Sequence, residues 1–428
     1  MERRNLKHRK IELKKDLYRH TIVFNIAENP WEAYNDFLGC LKVIEREGKT
    51  TSVILDFSKL HGSLYPPVAV SIACLVDYYR RYFGWSFSGR FVPDSYAEKA
   101  GFLNPIKVAG HKAILASGIF DKTIQFENPE EAAFISREIY RQLKRVVVCE
   151  QGVLGGLGWC INEVMDNVST HANAPCGFFM AQIHNRKKVI SISVGDLGCG
   201  LLASLRKSPD LTVPDEMAAI ELATQKGVTE SKAIGQGNGL YGLRRIVEHN
   251  QSHFSILSGH CSTAYDFGVG TITTKAKTPI VAEGARGTRV DFTLNYASRI
   301  DLRKALGGYE PYEDVDKDID EMTMENGYLL FDVSKRSAGD YGSRKSGKML
   351  RTELLNFVRS NAEKIVLDFG NVPMVDSSFA DEFLGQLVPM FGFIAFNKRF
   401  IIYHANRDVE TVLERAISIR AKELFDRE

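Results

Sequence analysis

The sequence predicts a multidomain chain of mixed α/β and α+β class, with a central α/β sandwich between two small α/β modules. Three observations carry this reading. At 428 residues the chain exceeds one ordinary core, since domains run to roughly 100–200 residues. SVILDFSKL (52–60) and KIVLDFGNV (364–372) match, and each sits in the same order of strand and helix patterns, which marks an internal repeat. The chain between them carries a different pattern, three glycine-punctuated segments between residues 158 and 250.

From the N-terminus, TIVFNI (21–26) has the composition of a strand and Trp31 to Glu47 the apolar spacing of a helix. SVILDF (52–57) is a continuous apolar run, as in a strand buried on both faces. A long helix over Val68–Tyr82 follows Pro66-Pro67. This alternation favours βαβ units on a mostly parallel sheet. FISREIYRQLKRVVV (134–148) reads as an amphipathic helix. Near the C-terminus the first plan returns: strand 327–333, helix 345–361, strand 364–369, helix 378–391, strand 399–404, then a helix from Asp408. The acidic stretch 309–326 lacks apolar periodicity and reads as a linker with one helical turn. The expected segments are a basic N-terminus (1–19), modules at 20–127 and 327–428, a central domain at 128–296 and a linker at 297–326.

Composition bounds the function. Apolar residues make up 44% and charged residues 25%, the balance of a soluble globular protein. No apolar run reaches the roughly 18 residues of a membrane span. The opening MERRNLKHRKIELKKD lacks the apolar core and cleavage site of a secretory signal. Its seven Lys and Arg read as a solvated helix or frayed terminus, with a nucleic-acid or membrane-surface contact as the alternative. A net charge of +2 argues against a nucleic-acid-coating protein. The seven cysteines include no C-x-x-C pair. This fits a reducing compartment, the cytoplasm, and neither a disulfide framework nor a zinc site.

Three central segments bear chemistry. In GWCINEVMDNVSTHA (158–172), Ile161, Val164 and Val168 form an apolar helical stripe, and Glu163, Asn167 and His171 fall one turn apart on an adjacent face. An amide oxygen there can ligate Mg²⁺ beside phosphate, and a carboxylate one turn away can orient or deprotonate a nucleophile. In KVISISVGDLGCGL (188–201), a β-rich run ends at Asp196-x-Gly198-x-Gly200. A buried Asp in that position can accept a hydrogen bond from an adenine amino group, and the glycines allow close approach of backbone. In AIGQGNGLYGLRRIVEHN (233–250), Gly235, Gly237 and Gly239 precede a helix with Leu240, Leu243, Ile246 and Val247 on its apolar side. Free N–H groups at such a helix start bind phosphate. The spacing is neither a P-loop nor a dinucleotide fingerprint. Each segment alone is also compatible with a solvated helix face or a glycine turn.

Together, over about 155–295, they resemble the nucleotide site of the GHKL superfamily of gyrase B, heat-shock chaperone ATPases, histidine kinases and MutL proteins. The resemblance implies ATP and Mg²⁺ as ligands, with a layer of helices on a mixed sheet. Glu163 would be the general base, Asn167 the Mg²⁺ ligand and Asp196 the adenine contact. Gly198 and Gly200 would shape the pocket wall, and Gly235, Gly237, Gly239 and Leu240 would close on the phosphates. Gly287-Thr288, opening GTRVDFTL (287–294), matches the family's last strand. Residues 201–234, with Lys226, Thr229 and Lys232, would form a mobile lid. In this family a helix like 134–148 makes a dimer contact, so a homodimer is a candidate, with an ordinary packing helix as the alternative. No histidine here is followed by Asp or Glu, and no transducer domain with a catalytic lysine is evident, so neither the histidine-kinase nor the gyrase-like branch fits.

VLDFGNVPMVDSSFADEFLG (366–385) resembles STAS-like domains, the fold of anti-sigma-factor antagonists, and implies Ser377 as a phosphoacceptor. Added phosphate is favoured at a helix start, although Ser378-x-x-Asp381 also reads as a capping pattern. The N-terminal module has Ser63-Leu64-Tyr65-Pro66-Pro67 in the equivalent place. If it is STAS-like, it lacks the acceptor and serves docking or dimerisation. The function expected is an ATP-driven conformational switch with slow hydrolysis, read by a regulatory protein partner. The alternatives are a protein serine kinase of anti-sigma type and a non-catalytic nucleotide-binding scaffold.

Overall fold

The structure, a computed structural model, describes residues 11–15, 20–24, 30–47, 52–60, 64–170, 172–228, 239–276, 286–309, 311, 314–360 and 364–426. The chain folds as two compact units. One comprises Met1–Ile139, Trp159–Asn295 and Lys304–Gly308; the other comprises Tyr140–Gly158, Tyr296–Arg303 and Tyr309–Glu428.

The first unit contains two sheets. The smaller has the order β1 (Ile11–Lys15), β2 (His20–Phe24), β3 (Ser52–Asp56), β4 (Ser86–Arg90). Strands β2, β3 and β4 run parallel, joined by helices α1 (Pro30–Glu47) and α2 (Pro66–Phe83), as the βαβ reading requires. Strand β1 corrects the expectation for the N-terminus. Residues 11–15 pair antiparallel with β2, because the alternation of Ile11 and Leu13 is a strand period that the surrounding charge obscures.

Pro66 and Pro67 open α2, where a missing N–H costs nothing. Gly84, left-handed at φ 66°, closes it. Every residue from Val68 to Val76 is buried, as expected of a helix covered on both sides.

What covers its other side is the larger sheet. Its order is β11 (Thr271–Ala276), β10 (Cys261–Asp266), β9 (His253–Ser258), β12 (Thr288–Asn295), β8 (Val189–Asp196), β7 (Gly177–His184), β6 (Ile124–Phe126), β5 (Ile106–Lys107). Residues 106–126, grouped with the first module in the sequence reading, thus extend this sheet. Helix α2 packs on β7, β8 and β12. A Cβ at Gly195 would lie 2.8 Å from Val70 Cγ1, so only glycine admits the helix this closely. Phe178, Met180 and Leu257 share one core with Phe37, Leu55 and Ile72.

The pleat sends alternate side chains to opposite faces. Ser191, Ser193 and Gly195 face α2, while Ile190, Ile192, Val194 and Asp196 face away. The first unit also contains much of α3 (Pro129–Val146) and α4 (Val153–Thr170), with α5 (Gly200–Leu205), α6 (Glu216–Ala223) and α7 (Gly239–His249). Helix α7 packs on β9 and β12.

The second unit is built on a parallel sheet in the order β13 (Leu329–Asp332), β14 (Ile365–Asp368), β15 (Phe400–Tyr403). Its strand order repeats β2-β3-β4, and the turn after the middle strand repeats in detail. Phe57 N–H donates to Arg90 O at 2.8 Å and Phe369 N–H to Tyr403 O at 2.9 Å. Leu60 N–H donates to Phe57 O, and Val372 N–H to Phe369 O, both at 3.0 Å. The side chains of Asp56 and Asp368 accept from the amides of Ser58 and Gly370.

The acidic linker also needs correction. Residues Asp314–Met322 form helix α8. Asp318 accepts from Tyr140 Oη at 2.8 Å and pairs with Lys144, so tertiary contacts order a segment whose own periodicity does not. Glu353, on α9 (Arg344–Arg359), is fully buried against Lys144, Arg145 and Arg336. Asn356 accepts Cys149 N–H at 2.7 Å and donates to the carbonyls of Lys144 (2.7 Å) and Val147 (3.0 Å). It thereby satisfies carbonyls left open where α3 ends.

The helical run 377–391 contains a π turn at Asp381–Gly385. Its N-cap residue is Asp376, not Ser378. Ser378 Oγ donates to Gly342 O at 3.0 Å, and Asp381 accepts both Arg420 Nε and Nη2. The capping pattern read from sequence is therefore not used. A long-range ion pair has claimed Asp381 instead. Among the described residues, no single helix is long and apolar enough to cross a membrane.

Candidate functional site

Four sequence-distant segments meet on the face of the larger sheet opposite α2. Helix α4 presents Glu163 and, one turn on, Asn167, both half-buried on one side. Helix α7 crosses α4 at two glycines. A Cβ at Gly242 would meet the Trp159 ring at 2.2 Å, and one at Gly239 would meet Glu163 Oε2 at 2.5 Å. Gly239 thus lies directly against the Glu163 carboxylate, with Leu240 half-buried beside it. Burial, with the nearby Asp166 charge as a lesser cause, raises the Glu163 carboxyl above its ordinary value and makes it a stronger base.

Asp196 ends β8, only 3% exposed. Its Oδ1 accepts the Gly198 N–H at 2.7 Å, and the Thr288 amide also bonds the carboxylate. Burial outweighs these bonds and pushes its carboxyl up to about 6. Gly198 passes so close to Ala172, just beyond α4, that a Cβ would fall 2.0 Å from the Ala172 carbonyl oxygen. Cys199 N–H donates to that same oxygen at 2.7 Å. Gly200, left-handed at φ 75°, then turns the chain into α5.

Ser258 is a residue the sequence reading missed. Its Oγ accepts Leu201 N–H at 2.9 Å and lies 3.1 Å from Thr288 Oγ1 and 3.3 Å from Gly287 O. One hydroxyl therefore ties the start of the expected lid to the Gly-Thr strand. Nothing in the local sequence FSILSGH marks it, because its partners lie far along the chain.

Within the expected lid, α5 and α6 pack around Leu205, Val213, Ala219 and Ala223. Glu216 accepts His260 N–H at 2.7 Å, and Lys226 is exposed. Gly235 and Gly237, with His171, Thr229 and Lys232, lie outside the described residues, as does Ser63.

In the second unit, Ser377 occupies the first position of the run 377–391 and is exposed. The Asp376 side chain makes no capping bond there.

Residues 346–410 match the family model described as "STAS-like domain of unknown function (DUF4325)". No curated protein matches the chain. Among solved structures, the chain is similar to the "43K ATPase domain of Thermus thermophilus gyrase B in complex with an aminocoumarin" at 14% identity and a TM-score of 0.20. That overlap covers 44% of this chain and 45% of the gyrase chain, so less than half of the latter's length is spanned. The chain is a mixed α/β multidomain protein with a STAS-like C-terminal domain.

Proposed function

We propose that the first unit binds ATP with Mg²⁺ in the manner of GHKL proteins and hydrolyses it slowly, as a conformational switch. The observation supporting this most directly is the convergence of Glu163, Asp196, Gly198, Gly239 and Thr288 from four separate segments onto one face of the sheet. Asp196 suits an adenine amino group, being a buried carboxylate with acceptor capacity beyond its two amide bonds. The oxygen donors on α4 suit a hard cation, with Asn167 as the ligand. Bound Mg²⁺ supplies neutralisation of phosphate charge. Glu163 then takes a proton from water as its oxygen bonds to the γ-phosphorus and the bond to the ADP oxygen breaks. Leu240 and the glycines before it close on the phosphates, Gly200 and Thr288 hold the pocket wall, and the lid responds to the γ-phosphate.

Ionised Asp196 is the adenine acceptor, and its carboxyl titrates at about 6. Nucleotide affinity is therefore expected to be flat above pH 7 and to fall as the pH drops through 6. Calorimetric titration with ATP across pH 5–8 checks this, and an affinity unchanged at pH 5 removes Asp196 from the adenine contact.

A second reading, a protein serine kinase, is favoured by one observation. The Ser377 hydroxyl is exposed at a helix start in a STAS-like domain, where phosphate is favourable. Incubation with γ-labelled ATP separates the two. Labelled protein that disappears in Ser377→Ala supports the kinase; free phosphate with unlabelled protein supports the hydrolytic switch. By its repeated topology and turn, the N-terminal module is then a second STAS-like copy without the acceptor, kept as a docking element.

A further inference from the structure

The repeat leaves one feature of the first unit unused. In the second unit the corner after the middle strand runs from buried Val375 through the N-cap residue Asp376 to Ser377. In the first it runs from buried Leu64 through the N-cap residue Tyr65 to Pro66 and Pro67. This second corner stands beside β8, β9 and β12 on the α2 side of the larger sheet. With them it bounds a cavity of about 230 Å³ whose lining includes Tyr65, Pro67, Ser191, His253, Ser255 and Asp291. We propose that this cavity is a second ligand site, for a neutral, planar heteroaromatic molecule of one or two rings.

Charge decides neutrality. Pro66 and Pro67 have no N–H groups, so the start of α2 offers an anion none of the usual donors. Asp291, 3% exposed, is ion-paired with Arg289, so the two charges offset each other. It offers a cation little, because it already accepts Arg289 Nε at 3.0 Å, Ser193 Oγ at 2.7 Å and Ser255 Oγ at 2.9 Å. Arg289 in turn is spent on Asp291, the Pro67 carbonyl and Ser71.

The walls decide planarity. Tyr65 is 41% exposed and its ring is tilted over His184 at 5.6 Å, leaving aromatic surface for an offset-stacked partner, with Pro67 and Val68 as further apolar lining.

Polar atoms decide the edge. Ser191 is only 7% exposed and lines the cavity. A serine hydroxyl both donates and accepts, which suits a ring nitrogen or a ring N–H, with the His253 imidazole alongside. Cavities near 150 Å³ accept benzene, so this one has room for a fused pair of rings.

The site shares β8 and β12 with the proposed nucleotide pocket but opens on the other face, so the two ligands bind independently in space. The test is benzimidazole titrated into the full chain, read by saturation-transfer NMR and calorimetry, without and then with excess ATP and Mg²⁺. Binding is expected under both conditions and is expected to weaken about tenfold or more in Tyr65→Ala and in Ser191→Val. Tyr65 is exposed, so its replacement leaves folding intact even if the Ser191 variant does not fold. No transfer to benzimidazole from the folded wild type means the cavity holds only water and overturns the proposal. So does binding unchanged in Tyr65→Ala, or binding abolished by ATP, which would locate the probe in the nucleotide pocket. A wild type that binds benzimidazole but no ATP leaves this site standing and removes only the nucleotide reading.

Discussion

Glu163→Gln is expected to slow ATP hydrolysis by about 10²–10⁴-fold, the usual contribution of a positioned general base, while ATP affinity stays within a few-fold. The substitution is nearly isosteric, which matters because the Glu163 carboxylate lies directly against Gly239. A larger or branched side chain would displace α7 and confuse chemistry with packing. Gln keeps a hydrogen-bonding oxygen to orient water but cannot take its proton, and burial has already raised the Glu163 carboxyl towards useful basicity. Phosphate release at saturating ATP, with affinity measured separately, separates the two effects. Equal rates in variant and wild type would remove Glu163 as the base, and ATP binding with no phosphate release from either would assign the chain to non-catalytic nucleotide-binding scaffolds.

Glu353→Ala is expected to destabilise the second unit by about 3–5 kcal/mol, the cost of removing one partner from a buried ionic cluster. The carboxylate is fully buried and answers three cations. Lys144 Nζ lies 3.6 Å from Oε1, which Arg336 also bonds, and Arg145 Nε lies 3.0 Å from Oε2. Arg145 and Arg336 are 20% and 18% exposed and can recover some hydration, so the lower half of that range is expected. Trp31, Trp85 and Trp159 all belong to the first unit, so tryptophan fluorescence reads the wrong part of the molecule. Hydrogen exchange over 329–425 in increasing urea is the appropriate measurement. Protection there equal to that of the wild type would mean the three cations do not depend on Glu353.

Much of this architecture is legible in the sequence because its signals are local. The β-rich run into Asp196-x-Gly198-x-Gly200 forecasts a strand, a buried carboxylate and a tight turn, and all three are present. The pattern from Val68 to Tyr82 after Pro66-Pro67 forecasts a long helix, and one is present. What covers that helix is not legible, since Gly195 meeting Val70 is a property of two segments brought together by the fold.

The polar cluster of Ser193, Ser255, Arg289 and Asp291 is hidden for the same reason. Each residue is an ordinary strand residue until pairing aligns Asp291 with Ser193 and with Ser255. Helix α8, nine residues long where the sequence suggests one turn, and strand β1 are hard to read because charge dominates their composition, while partners elsewhere determine their conformation. Ser378 and Asp381 misled in the opposite sense. Their spacing fits a cap, but Gly342 and Arg420 claim them.

The most direct test of the proposed nucleotide site is calorimetric titration of ATP into the full chain with and without Mg²⁺, in wild type, Asn167→Ala and Asp196→Asn. The expected result is Mg²⁺-dependent binding by the wild type. Affinity should fall by about tenfold or more in each variant, the scale of losing a hydrogen bond to a charged group or a metal ligand. Absence of binding by a well-folded wild type, or equal affinity in all three proteins, would contradict the assignment of this face of the sheet to ATP.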